Sequence, residues 1–134
     1  MSEENRSEEN RKLATRWMNE VWNHRNDATL EELLDRRVEG YFEGIGRTDF
    51  AGFVAARKVL LDTFPELHVT VEDLVADGDR VVVRWKVDAK HGASGQQAKF
   101  RGMTWMTFSG GKIVRGWDAW NQGALLKELG SPAG

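Results

Sequence analysis

The chain has 134 residues, of which 19 are Lys or Arg and 21 are Asp or Glu, so its formal net charge is −2. This length fits one domain with a single core, and the balanced charge, without a basic block, argues against nucleic acid as a partner. Cysteine is absent, which excludes disulfides, thiolate metal sites and a thiol nucleophile. The polar N-terminus and the lack of a long apolar run predict a cytoplasmic protein without a signal peptide or membrane helix.

The N-terminus repeats the pentapeptide SEENR at residues 2–6 and 7–11. Because neither copy contains an apolar residue, we expect residues 1–12 to be a flexible or helical polar lead outside the core. The sequence predicts a single domain over residues 13–130 and a short tail over residues 131–134.

Apolar residues at helical spacing predict three helices in the first half of the chain. The first is expected to begin near Leu13 and to end in the polar cluster at residues 23–27. The second is short, and Thr29 followed by Glu32 has the form of a capping box at its start.

The third helix is predicted to begin at Thr48 and Asp49, which have the character of a helix cap, and to continue to Phe64. Pro65 ends it, because the residue before a proline is biased away from helical geometry. A short extended segment at residues 38–43 separates the second helix from the third.

The second half changes to β-strand character. Four segments rich in Val, Thr, Phe and Trp are separated by glycine-containing turns, and they lie at residues 68–75, 80–89, 98–108 and 113–121. Helices followed by strands predict an α+β fold, in which a sequential antiparallel meander carries the helices on one side. Residues 122–129 are expected to add a closing helical turn.

The turn at Gly110 and Gly111 sets the expected register of the last hairpin. Counting back from a two-residue turn places Met103 opposite Asp118 on the same face. The apolar face of the neighbouring strand carries Trp85. We therefore expect Trp85, Met103 and Asp118 to form a row beneath the helices, with the carboxylate facing inward among aromatic rings.

The second half also resembles a known family. The resemblance rests on three stretches, FPELHVTVEDLVADGDRVVVRWKVDAKHG (64–92), FRGMTWMTFSGGKIVRGWDAWN (100–121) and LLKELG (125–130), and it runs from about Leu13 to Gly130. They are similar to the SnoaL-like polyketide cyclase family, within the nuclear transport factor two-like superfamily. This resemblance implies a conical fold, in which a curved antiparallel sheet wraps around the helices and leaves a deep pocket, commonly in a homodimer that forms through the sheet.

The resemblance further implies ring closure by aldol condensation, without metal or organic cofactor, with an inward acid on the last strand as general base. Asp118 matches that acid. A carboxylate in a dry aromatic site should have a raised pKa, which suits a base. The alternative is a structural aspartate paired with Arg101 or Arg115, whose pKa would be lowered. The facing strand reads RGMTW at residues 101–105, where the cyclases place a histidine.

The walls of a ligand pocket should be mainly apolar with few polar groups. The candidate substrate-binding residues are Trp17, Tyr41, Trp85, Arg101, Met103, Trp105 and Trp120. The aromatic members could equally be core residues. Within the set, Tyr41, Trp17 or Arg101 could donate a hydrogen bond to a developing enolate oxygen.

The three histidines do not have the spacing of a metal site, and we predict no metal and no cofactor. His24 lies in a polar cluster, and His68 falls on the face opposite the valines of its strand. His91, in a glycine-flanked loop, matches a histidine that is frequent at the cavity mouth in the family, which makes it a possible gate.

The sequence therefore predicts a cofactor-independent enzyme that acts on a small, mostly apolar, carbonyl-bearing or cyclic molecule. Its chemistry would be proton abstraction next to a carbonyl, followed by cyclisation or isomerisation. One alternative is an epoxide hydrolase that uses an acid-activated water. Another is a non-catalytic module that binds a ligand or works by dimerising.

Overall fold

The structure is a computed structural model that describes residues 2–121. Its elements are α1 (Glu3–Arg16), a π-helical segment (Trp17–Asn23) that continues α1, α2 (Asp27–Leu33), β1 (Leu34–Phe42), β2 (Gly46–Thr48), α3 (Phe50–Thr63), β3 (Glu66–Asp77), β4 (Arg80–Lys90), β5 (Gln97–Ser109) and β6 (Lys112–Trp120). The three predicted helices and the α+β class are confirmed. The predicted turn at 122–129 lies outside the described residues. Within residues 2–121, no helix has the length and apolar character needed to cross a membrane.

The polar lead is helical. Ser2 caps α1, since its Oγ accepts a hydrogen bond from the backbone N–H of Asn5 at 3.1 Å. The helix therefore begins well before Leu13, where the apolar spacing placed its start.

The second copy of the repeated pentapeptide packs against the turn between β3 and β4. The side-chain amide of Asn10 is buried and donates to the carbonyl of Gly78 at 2.9 Å. The hydroxyl oxygen of Ser7 accepts from the N–H of Gly78 at 2.7 Å. The lead thus packs through hydrogen bonds, which a search for apolar residues alone does not detect.

The two shorter helices differ in how well their caps were predicted. Asn26, and not Thr29, caps α2, because the N–H of Thr29 donates to Asn26 Oδ1 at 3.1 Å. Thr29 is buried instead, and its hydroxyl donates to Glu20 at 2.6 Å. Asp49 caps α3 as predicted, by accepting from the N–H of Gly52 at 2.8 Å.

The strands form one open, curved sheet in the order β2-β1-β6-β5-β4-β3. Strands β3 to β6 make the predicted antiparallel meander. The extended segment at 38–43 is the end of a longer strand, β1, which lies parallel to β6 and places Phe42 beside Asp118. One pair in the sheet is therefore parallel, whereas the sequence predicted antiparallel pairing throughout.

The core lies between the sheet and the long first helix. Val81, Val83, Trp85 and Val87 of β4 are all buried, which confirms the predicted apolar face of that strand. They form one cluster with the buried side chains of the π-helical segment, such as Val21.

The register of the last hairpin differs from the prediction by one residue. Ser109 pairs with Lys112 as expected, but the pairing shifts between Thr107 and Phe108, where β6 contains one extra residue. Asp118 therefore lies opposite Thr104, and the predicted partner Met103 pairs with Ala119. A slip of one residue exchanges the two faces of a strand, so Met103 lies on the outer face and is 51% exposed.

Candidate active site

Asp118 lies near the centre of the sheet, between the parallel strand β1 and the antiparallel strand β5. Its side chain borders two hollows beneath the helices, each of about 40 Å³. Phe42 and Thr104 border both hollows as well. A volume of this size accommodates water, so a larger ligand requires side chains to move apart.

The first hollow has aromatic and aliphatic walls. Its lining comprises Met18, Trp22, Phe42, Leu60, Leu67, Val69, Trp85, Val87, Phe100, Thr104, Asp118 and Trp120. Among the lining residues in the described part of the chain, Asp118 is the only ionisable one. The second hollow is also mainly apolar, and Asp49 and Tyr41 are the further ionisable residues on its border.

Three side chains from adjacent strands are linked by hydrogen bonds. The indole N–H of Trp85 on β4 donates to Thr104 Oγ1 on β5 at 2.9 Å. The hydroxyl of Thr104 donates in turn to Asp118 Oδ1 on β6. Trp85 and Thr104 are both buried. Two consecutive hydrogen bonds, which start at the buried Trp85 side chain, thus fix the position of Asp118 Oδ1.

Burial in this apolar environment raises the pKa of Asp118 from 3.8 to about 6, while the hydrogen bond from Thr104 acts in the opposite direction. The residue as a whole is partly exposed, and its carboxyl group lies against the mainly apolar side chains that line the two hollows. No ion pair within residues 2–121 involves Asp118. Arg101 pairs instead with Glu72 at 3.2 Å, so the predicted alternative of a locked Arg101–Asp118 pair is wrong.

The structure separates the predicted pocket residues into two groups. Trp85 and Trp120 line the first hollow, and Trp17 lines the second. Met103 and Trp105 line neither hollow, because the one-residue shift turns them to the outer face, where each is 51% exposed.

Arg101 and Tyr41 also have side chains on the outer face. Arg101 is exposed and belongs to the same face of β5 as Met103. Tyr41 borders the second hollow, but its ring stacks on Trp117 with a centroid separation of 4.4 Å, and Trp117 is 56% exposed. The predicted inward orientation of the Arg101 side chain is therefore wrong, whereas Tyr41 reaches the border of the second hollow with its ring on the outer face.

His91 lies in the connection between β4 and β5 and borders neither hollow. Its Nδ1 is 2.9 Å from Ser94 Oγ, and its ring packs edge-on against Phe64, with a centroid separation of 5.9 Å. Phe64 in turn contacts Phe100, which lines the first hollow. A role as a gate stays a prediction.

Thr104 is the site residue that the sequence reasoning missed. The signal that could have found it is the alternation within β5, where Phe100, Met106 and Phe108 are buried and share their face with Thr104. Alternation of residues along β5 alone places Thr104 on the inner face. Pairing counted through the β5–β6 turn places Met103 there instead, because it misses the extra residue in β6.

No group of three or more His, Cys, Asp or Glu side chains in the described part of the chain is arranged to hold a metal ion. What the arrangement offers is a single enclosed carboxylate with aromatic walls. Such a group can exchange a proton with a bound molecule near neutral pH.

The sequence matches a known protein family. A sequence model of the SnoaL-like polyketide cyclase family matches residues 12–129. No curated protein matches the chain.

Several solved structures share the fold. AclR from Streptomyces galilaeus, provisionally described as a hydroxylase, is 26% identical, with a TM-score of 0.83 over 99% of this chain and 89% of that one. IdmH from Streptomyces antibioticus, provisionally described as a polyketide cyclase, is 21% identical, with a TM-score of 0.82 over 89% of this chain and 96% of that one. An LEH-like epoxide hydrolase from M. tuberculosis is 18% identical, with a TM-score of 0.71 over 92% of this chain and 90% of that one. These likenesses establish the nuclear transport factor two-like fold.

Proposed function

Because this chain belongs to the SnoaL-like polyketide cyclase family, we propose that it is a cofactor-independent enzyme acting on a small, mostly apolar, carbonyl-bearing molecule. Asp118 is the general base. The observation that carries this proposal is a carboxylate that lines two mainly apolar hollows, has no cation partner within residues 2–121, and has its pKa raised to about 6.

The raised pKa suits proton abstraction. At neutral pH most of the Asp118 population is ionised, yet the group is a stronger base than an ordinary aspartate. In the proposed step the C–H bond next to the carbonyl breaks, the proton passes to the Asp118 carboxylate, and the electron pair moves into an enolate. In a conjugated substrate, return of the proton from Asp118 to the far carbon of the dienolate gives isomerisation. Attack of the enolate on a second carbonyl gives cyclisation, and the proton on Asp118 then passes to the new alkoxide.

An enolate requires a hydrogen-bond donor near its oxygen. Of the donors predicted from the sequence, Trp17 is the one whose side chain lies on the helix side of the sheet, where it lines the second hollow. Its indole N–H makes no hydrogen bond to any other residue within 2–121. We assign it the role of donor.

Epoxide hydrolysis is less well supported. The arginine that suggested it, Arg101, is on the outer face with Glu72. Asp88, a potential second carboxylate, is exposed beside Lys99, 3.9 Å away. Neither side chain lines the hollows that Asp118 borders.

The proposal is tested by hydrogen–deuterium exchange into the methyl group of acetophenone in D₂O, followed by NMR. The wild-type protein should accelerate exchange, with a rate that rises as the pH increases through about 6. Asp118→Asn should abolish the acceleration, whereas Asp88→Asn on the exposed face should retain it. Equal acceleration by wild type and Asp118→Asn, with both folded by circular dichroism, would remove Asp118 as the base. No acceleration by the wild-type protein would favour a non-catalytic binding module.

We also propose that the protein is a homodimer that forms through the outer face of the sheet. Trp105 and Trp117 are directly opposite each other on β5 and β6 and are both about half exposed. With Met103 they form an apolar patch of a kind that usually marks an interaction site. Glu39 borders the same groove as Arg80 and Arg115, so a two-fold axis could pair acidic with basic groups.

A further inference from the structure

The row formed by Trp85, Thr104 and Asp118 crosses three neighbouring strands. Each side chain reaches the next across the sheet, since β4 pairs with β5 and β5 with β6. The indole nitrogen of Trp85 is 2.9 Å from Thr104 Oγ1, and Thr104 Oγ1 contacts Asp118 Oδ1. Both donors are buried, so bulk water does not compete for these hydrogen bonds.

The direction of this chain follows from the chemistry of its members. An indole N–H can only donate, so Thr104 Oγ1 must accept from Trp85. The Thr104 hydroxyl retains its single hydrogen, and an ionised carboxylate can only accept. The hydrogen bonds therefore run from Trp85 through Thr104 to Asp118 Oδ1.

This direction makes the two oxygens of Asp118 unequal. Oδ1 is occupied by the Thr104 hydroxyl, and a proton placed there would force that hydroxyl to turn away from its acceptor. Oδ2 makes no hydrogen bond among residues 2–121. We infer that Thr104 is a positioning residue that keeps Oδ1 as an acceptor and leaves Oδ2 as the oxygen that takes up the substrate proton. This inference rests on the proposed function of Asp118 as a base.

Among residues 2–121, the hydrogen bond from Thr104 is the interaction that stabilises the charge of Asp118. The elements packed against it present Phe42 from β1, Trp17 and Met18 from the π-helical segment, and Phe53 and Leu60 from α3. Within residues 2–121, the ionisable groups other than Asp118 that border the hollows are Asp49, which caps α3, and Tyr41, whose ring lies on the outer face. None of them is a cation.

The test compares Thr104→Val, which removes the hydroxyl at nearly constant volume, with Thr104→Ser, which keeps it. Thr107→Val, on the outer side of the same strand, is the matched control. The pKa of Asp118, read from the carboxyl ¹³C shift, should rise by about one in Thr104→Val and change little in the other two variants. In the acetophenone exchange assay, kcat falls as the pH is lowered and Asp118 becomes protonated. The pH midpoint of this fall should rise in Thr104→Val by the same amount as the pKa, with KM unchanged.

A second readout keeps the inference testable if Thr104→Val does not fold. The ¹H shift of the Trp85 indole proton in the wild-type protein should titrate with the midpoint of Asp118, since the hydroxyl between them transmits the charge. Trp85→Phe, which removes the donor to Thr104, should raise the pKa of Asp118. An indole proton insensitive to pH, with no change of pKa in Trp85→Phe, would overturn the inference.

The exchange assay distinguishes failure of the inference from failure of the proposed function. If Asp118→Asn loses exchange but Thr104→Val retains both the pKa and the rate of wild type, Thr104 has no positioning role although the base stands. If Asp118→Asn exchanges like wild type, both the base and the positioning role are overturned, even where the pKa responds to Thr104→Val.

Discussion

Gly102 lies so close to Trp85 that a methyl group on its α-carbon would come within 2.6 Å of two carbons of the indole ring. It would also come within 2.5 Å of the carbonyl oxygen of Ala119. Gly102→Ala should therefore displace the indole from Thr104 and lower the free energy of unfolding by about 1–3 kcal/mol. Urea denaturation gives the stability, and the indole N–H shift of Trp85 reports the displacement.

The matched control for this substitution is Gly116→Ala on β6. A methyl group there would have no atom within 4 Å, apart from its chain neighbours. We expect its free energy of unfolding to stay within about 0.5 kcal/mol of wild type. Equal losses in the two variants would contradict the proposed contact between Gly102 and Trp85.

Arg57 is a buried cation that stabilises the π-helical segment. It is 6% exposed, and its Nε and Nη2 donate to the carbonyl of Val21 at 3.1 and 3.0 Å. Arg57→Leu should lower the free energy of unfolding by about 1–3 kcal/mol, because that carbonyl would lose its donors. Lys58→Ala, at an exposed ion pair with Asp62, should cost less than about 1 kcal/mol. Similar losses in chemical denaturation would show that Arg57 has no special role.

The stability of the protein should depend on the ionisation of Asp118. The folded state holds the proton up to a pKa of about 6, whereas the unfolded state releases it near 3.8. Between these values the folded state binds more protons, so the free energy of unfolding falls as the pH rises, by up to about 3 kcal/mol in total.

Asp118→Asn lacks this titration. Relative to wild type, it should therefore gain stability between pH 4 and pH 7.5, as measured by urea denaturation at both values. Asp88→Asn controls for the loss of a charge on the exposed face. A stability difference between wild type and Asp118→Asn that does not change with pH would contradict the raised pKa.

The proposed dimer depends on the exposed tryptophans of the outer face. Trp117→Glu would place a charge at the centre of the patch and should give a monomer in sedimentation equilibrium at tens of micromolar protein. Val59→Glu, at a 65% exposed position on α3, should leave the dimer intact. A wild-type protein that sediments as a monomer at this concentration would exclude the interface.

The fold was predictable from local signals. Asp49 and Pro65 delimit α3, and glycine-containing turns separate the strands. The parallel pairing of β1 with β6 was not predicted, because it joins segments far apart in sequence and leaves no local pattern.

The site was predictable only in part, because one extra residue in β6 controls the register. Asp118 and Trp85 were placed correctly on the inner side, but the pairing shift at Thr107 exchanged Thr104 for Met103 as the partner of Asp118. A contrary signal was present in the sequence: an inward Met103 requires Arg101 to face inward as well, which is unfavourable for a charge without a partner.

The pKa of Asp118 tests the account most directly. It can be measured from the carboxyl ¹³C shift in uniformly labelled protein, with Asp118→Asn used to assign the signal. We expect a midpoint of about 6, well above the ordinary value of 3.8. A midpoint at or below the ordinary value would show that the carboxyl is solvated or paired with a cation, and would contradict its role as the base.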